Sequence, residues 1–107
     1  MMLIVSKFLV PKGYRALTVF PFVFLREKAS KDDLVLMNHE RIHSAQQREL
    51  LFVGFFVWYG LDYLLKLLRY KNHQLAYRNI IFEREAYLYE RNFEYLATRK
   101  FWRFWKT

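Results

Sequence analysis

The chain has no cysteine. That excludes a disulfide framework and any thiolate metal site, so a metal here would have to rest on imidazole and carboxylate. Proline is nearly as scarce, with two in 107 residues: Pro11 opens the turn-type cluster Pro11-Lys12-Gly13, and Pro21 sits inside an otherwise β-prone run. Internal repeats, low-complexity tracts and flexible linkers are missing. Acidic residues are the minority, 10 against 18 Lys and Arg, which leaves a net charge of +8. Such an excess draws polyanions, either nucleic acid or the anionic surface of a membrane. The opening Met1 to Lys7 has no basic region ahead of a sustained apolar run, and Lys7 and Pro11 interrupt it. A cleaved signal peptide is therefore not expected, and the expected location is the cytoplasm or its membrane face.

What the chain does have is apolar bulk. Hydrophobic residues make up 54% and aromatics 21%, too much for a disordered chain, and the length suits one domain over residues 1–107. Leu3 to Val10 is β-prone and, with the turn at Pro11-Lys12-Gly13, predicts a hairpin whose return segment runs from Tyr14 to Leu25. Pro21 cannot donate to a ladder, which predicts a sheet edge for that strand. Ser30, with Asp33 three residues on, marks a helix start that Asp32 and Asp33 favour through the dipole. Leu50 to Leu65 is apolar on every face with Asp62 as its one charge, and it predicts a central core helix, with a membrane-embedded or membrane-lying segment as the alternative. Arg69 to Gln74 predicts a polar loop, and a last helix is expected from Leu75 or Ala76 to Arg99.

The helix expected after Ser30 carries His39-Glu40-Arg41-Ile42-His43. Residues four apart share a helix face, so the two imidazoles can hold one Zn²⁺ while Glu40 reaches the metal-bound water. A catalytic zinc needs a third protein ligand. The last helix offers Glu83 and Glu85 on either side of an apolar face of Phe82, Ala86, Tyr89, Phe93, Leu96 and Ala97, and periodicity does not choose between them. Asp62 reads as a partnered core carboxylate, His73 as a solvated loop residue, and Glu90 with Glu94 as a solvated charged face.

His-Glu-x-x-His followed by a helix with Glu-x-x-Ala at Glu83 to Ala86 resembles the gluzincin clan of zinc metallopeptidases, over roughly residues 14 to 98. Gln46, three past the second His, is similar to many members. The resemblance implies an α+β, zincin-like domain: a small N-terminal antiparallel sheet, an active-site helix, an apolar helix and a C-terminal glutamate helix. It carries the third ligand over to Glu83, with Glu85 as the alternative, and implies that an edge strand, here Val19 to Leu25, binds substrate in extended form. The clan commonly has an Asp four residues after the glutamate ligand; this chain has Tyr87.

The expected activity is hydrolysis of a peptide or protein by zinc-activated water, with Glu40 as general base and an oxyanion donor among His73, Tyr77 and Tyr87. The alternatives are a zinc site that does not cleave, or a docking module for membrane or polyanion built on the basic, aromatic end Arg99 to Thr107. From Lys66 onward ten Lys and Arg face four Glu. That end would either fold back onto the core or anchor at an anionic membrane surface. No nucleic-acid signature accompanies it, so nucleic acid is not the expected partner. Apolar surface left by residues 50 to 65 would favour a homo-oligomer.

Overall fold

The computed structural model describes residues 2–107; Met1, where the reading of the leader begins, lies outside them. The fold is α+β. Strands β1 (Met2–Val5), β2 (Ala16–Val19) and β3 (Phe22–Leu25) form a sheet of order β1-β3-β2. A 3₁₀ turn (Lys28–Asp32) leads into α1 (Leu34–Glu49), followed by α2 (Val53–Tyr70), α3 (His73–Asn79), α4 (Ile81–Tyr89) and α5 (Tyr95–Thr98), with a 3₁₀ turn at Arg103–Lys106.

The sheet is mixed rather than antiparallel. β1 runs parallel to β3, with Met2 opposite Phe22 and Val5 opposite Leu25, and the hairpin is between β2 and β3, with Ala16 opposite Leu25 and Val19 opposite Phe22. Pro21 therefore lies in the two-residue turn between β2 and β3 and costs the ladder nothing. β3 begins one residue later with donors on both sides, so it is the central strand rather than an edge. The expected return strand is divided, and the stretch expected to pair with it loops out after Val5. Arg26 holds that loop by donating to the carbonyls of Lys7 (3.2 Å) and Val10 (2.9 Å).

Helix α1 starts three residues later than expected, because Ser30 lies in the preceding 3₁₀ turn. Asp33 is the N-cap, its carboxylate accepting from the Leu36 N–H at 3.0 Å. Asp32 falls within the preceding 3₁₀ turn. Met37 packs on Val23 and Leu25 of the sheet, while Ile42 packs on Ala86 and Tyr95 from the other side. α1 is consequently enclosed, with ten of its 16 residues buried, most of them polar.

Helix α2 is the reverse, and the expectation of a core helix is corrected. Of its 18 residues only Phe55 and Asp62 are buried. Phe55 joins Ile80, Phe82 and Phe104 in a small aromatic cluster, and the remaining apolar face looks outward. A side chain at Gly60 would meet nothing within 4 Å, so this glycine marks neither close packing nor a contact. The chain bends 112° between α1 and α2. Phe52 makes that bend in a γ-turn of positive φ (φ 72, ψ −70), closed by Val53 N–H to the Leu51 carbonyl at 2.7 Å.

The expected polar loop shrinks to Lys71 and Asn72, because Asn72 caps α3 through the Leu75 N–H (3.1 Å) and so places His73 on a helix. The expected last helix is broken into α3, α4 and α5. α4 is fixed at both ends. Asp62, also paired with Lys66, accepts from the Ile81 N–H at 2.7 Å, and the Asn38 amide donates to the carbonyls of Tyr89, Glu90 and Asn92 at 2.9–3.2 Å. Asp62 is thus partnered as expected, by a lysine and a helix start. The chain's end folds back: Phe104 is fully buried, and Arg99 forks onto Glu49 (2.7 and 2.9 Å) and onto Glu85.

Candidate metal centre and its cleft

Three ligand-type atoms converge between α1 and α4. His39 Nε2 and His43 Nε2 are 3.1 Å apart, and Glu83 Oε1 lies 3.2 Å from the first and 3.1 Å from the second. The one-turn spacing on α1 sets the imidazoles edge-on with centroids 4.8 Å apart, and the two ties on α4 bring Glu83 against them. All three residues are buried. The Glu40 carboxylate lies beside them, within 4.8 Å of both imidazoles. Two nitrogens and one carboxylate oxygen form a donor set that suits zinc, and ligands at zinc distances of about 2.0–2.1 Å in tetrahedral array stand roughly 3.3 Å apart. The triangle fits to within a few tenths of an ångström.

Each of these groups is oriented by a neighbour. The Gln46 amide donates to the Phe82 carbonyl (3.0 Å) and to Glu85 Oε1 (2.9 Å), so its oxygen is what faces His43 Nδ1 at 2.8 Å. Nδ1 therefore carries hydrogen, and the neutral ring presents the lone pair of Nε2 to the triangle. The second oxygen of Glu83 accepts from Tyr59 Oη at 2.7 Å. Burial alone would raise the Glu83 carboxyl, but the His43 and His39 imidazoles outweigh burial and hold it well below the usual carboxylate range. Burial alone would lower His43, and the Glu83 carboxylate reverses that and raises it. The two shifts express one demand: a buried carboxylate at this point requires a positive partner. Burial, and next the Glu83 charge, push the Tyr59 hydroxyl up, which keeps it a donor.

Glu85 is not brought to the triangle. It is fully buried, with both oxygens taken by Arg99, Gln46 and Tyr95, and Arg99 and Gln46 hold its carboxyl below the usual range against the opposing effect of burial. Tyr87 packs edge-on against His39 with ring centroids 4.6 Å apart and lies under the Arg78 guanidinium. Glu90, expected as part of a solvated face, instead turns inward and places Oε2 3.8 Å from His39 Nδ1.

The triangle opens into a cleft of about 440 Å³ bordered by Glu40, His43 and Glu83, by β2, and by aromatic side chains of α2 and α3. Glu40 Oε1 accepts from Thr18 Oγ1 at 2.7 Å, and no protein group among the described residues holds its second oxygen. His73 and Tyr77 line this cleft; Tyr87 does not. His73 is exposed, as expected, but stands on α3 rather than in a loop and is engaged by two tyrosines. Its Nε2 lies 3.0 Å from Tyr14 Oη and its Nδ1 2.8 Å from Tyr63 Oη. An imidazole always carries at least one N–H, so at least one of these hydroxyls accepts from it and keeps its own proton to donate.

The free edge by the cleft is on β2, since β3 is paired on both sides. Gln47 covers part of it as an added strand would, donating to the Thr18 carbonyl and accepting from the Phe20 N–H, each at 2.7 Å. The Ala16 end is left open. The strand expected at the sheet edge, Val19 to Leu25, is corrected: its β3 part is central, and the free edge by the cleft is Ala16–Val19. Sequence reasoning missed Thr18, Tyr59, Tyr14 and Tyr63, which lie outside α1 and share no local spacing with the motif, and also Gln47, which lies on α1 itself one turn beyond His43. Comparison with protein-family models, with curated proteins and with solved structures finds no match to this chain.

Proposed function

We propose that the chain is a zinc-dependent hydrolase of peptide bonds, in which His39, His43 and Glu83 hold the metal and Glu40 moves the proton. The observation that carries this reading is the triangle of two Nε2 atoms and one carboxylate oxygen, 3.1–3.2 Å on each side, with the Glu40 carboxylate, one oxygen of it held by Thr18, beside it in a cleft. Zinc supplies a Lewis acid that activates water and polarises a carbonyl at neutral pH.

The rest falls to the protein's own groups. Thr18 steadies one oxygen of Glu40, leaving the other to take the proton from the attacking water and to return it to the leaving amine. The open backbone of β2 near Ala16 would seat an extended peptide by strand addition. A tyrosine hydroxyl freed by His73, from Tyr14 or Tyr63, would donate to the oxyanion of the tetrahedral intermediate. Similarity to the gluzincins in motif and spacing supports the same assignment.

Elemental analysis of protein purified without added metal tests the centre. Near one zinc per chain is expected, lost in His43→Ala and Glu83→Ala and kept in Glu85→Ala. Once a cleaved peptide is in hand, Glu40→Gln should retain zinc and lose almost all turnover. Zinc absent from the wild type and not taken up on titration would end the proposal.

A further inference from the structure

Hydropathy and burial are inverted between the two long helices. The polar α1 is enclosed, while the apolar α2 lies at the surface. Val53, Val57, Leu61, Leu64, Leu65 and Leu68 are all more than half exposed, and at about 100° per residue they fall within one sector of roughly 120°. Asp62, Lys66 and Arg69 project outside that sector, so the exposed face carries no charge along the whole helix. Isolated exposed leucines are ordinary, but a continuous stripe of this length marks an interface.

The folded-back end of the chain widens the stripe. Trp58 of α2 packs edge-on against Trp102, Phe104 and Trp105, with centroids 6.1, 5.3 and 5.5 Å away. Phe104 is buried by this, but Phe101 and Trp105 remain 73% and 64% exposed. Lys100 and Lys106, next to these rings in sequence, are exposed, as are Arg69 and Lys71 where α2 ends.

We infer that the apolar face of α2, extended by Phe101 and Trp105, docks in the plane of an anionic lipid bilayer. Aliphatic side chains would enter the acyl boundary, the tryptophan would sit at headgroup depth, and the flanking Lys and Arg would meet lipid phosphates. Charge decides among the occupants: a second copy would bring +8 against +8, whereas an anionic surface is complementary to it. Length decides the orientation. The helix spans about 27 Å, and no single helix among the described residues is long and apolar enough to cross a membrane. The other flank of α2 is packed on α3, so the helix lies flat with the domain above it.

Flotation of the full chain with vesicles tests this, using phosphatidylcholine alone and equal parts of phosphatidylcholine and phosphatidylserine. Leu61→Glu with Leu65→Glu alters side chains that touch no core, and the thermal midpoint verifies that the fold is kept. The wild type should bind the mixed vesicles and bind pure phosphatidylcholine at least tenfold less. The Leu61/Leu65 variant should lose tenfold or more of its binding, and Lys100→Glu with Lys106→Glu several-fold. The inference is overturned if the mixed vesicles are not bound, if the folded Leu61/Leu65 variant binds as well as the wild type, or if both lipids are bound equally. It is also overturned if sedimentation finds a dimer that the Leu61/Leu65 variant dissolves while vesicles go unbound. The assay reads neither zinc nor hydrolysis, so it stands or falls apart from the assignment of the cleft.

Discussion

Gln46 shows how much of the centre depends on residues that would never touch the metal. Its amide can be oriented in one way only, because the Phe82 carbonyl and Glu85 both require a donor, and that orientation sets the tautomer of His43. Gln46→Leu preserves helix and approximate volume but removes the constraint. Zinc affinity should fall about 10–100-fold, read by competition with a chromophoric chelator. His73 makes a similar argument for catalysis. With Tyr14 on Nε2 and Tyr63 on Nδ1, the hydroxyl that accepts from the ring is the one free to donate into the cleft. If that hydroxyl is on Tyr14, Tyr14→Phe should lower kcat by about 10²-fold with KM little changed, while Tyr63→Phe has a smaller effect. The opposite ranking would move the donor to Tyr63.

At the scale of elements, α1 was the most legible part of the chain, because helix and motif belong to one local stretch, although its start falls at Asp33 and not at Ser30. Its start is also the simplest to test. The Leu36 N–H and next the Arg15 guanidinium hold the Asp33 carboxyl below its usual range. A depressed folded value contributes stability that is present above the unfolded pKa of about 3.9 and is lost as pH falls through the folded value. Asp33→Asn keeps a capping oxygen and should flatten the acid limb of the stability curve below about pH 4. Asp33→Ala also loses the cap and should cost about 1 kcal/mol at neutral pH. Urea melts across that pH range measure both.

Other elements were hidden from the sequence for physical reasons. The pairing of β1 with β3 is parallel and non-local, and no hairpin signal announces such a contact. The break between α3 and α4 leaves the apolar periodicity nearly intact, so one long helix is the natural reading; the break is enforced from outside by Asp62 on Ile81. Glu90 reads as surface because Arg91 and Glu94 follow it, and only the packing of α4 on α1 turns it toward His39. Of the candidate centre, His39, Glu40 and His43 were legible from spacing, and Glu83 from resemblance. Tyr59 and Thr18 left no trace because they meet the motif only through tertiary packing.

The whole molecule encloses its most polar long helix, α1, and leaves its most apolar one, α2, outside. Sequence hydropathy, which equates apolar with buried, misassigns α2 for that reason. Both inversions meet on one element: Phe56 of α2 lines the cleft, and its neighbours Val53 and Val57 belong to the exposed stripe. A domain lying on lipid through that stripe would hold the mouth of its cleft close to the bilayer surface, within reach of chain segments that emerge there. Confinement to a surface raises effective concentration without any new contact. A peptide anchored by an acyl chain to phosphatidylserine-containing vesicles should therefore be cleaved faster than the same peptide free in solution. Leu61→Glu with Leu65→Glu should remove that advantage while leaving the rate on the free peptide unchanged, since neither side chain borders the cleft. Equal rates on anchored and free peptide in the wild type would separate the docking face from the chemistry of the cleft.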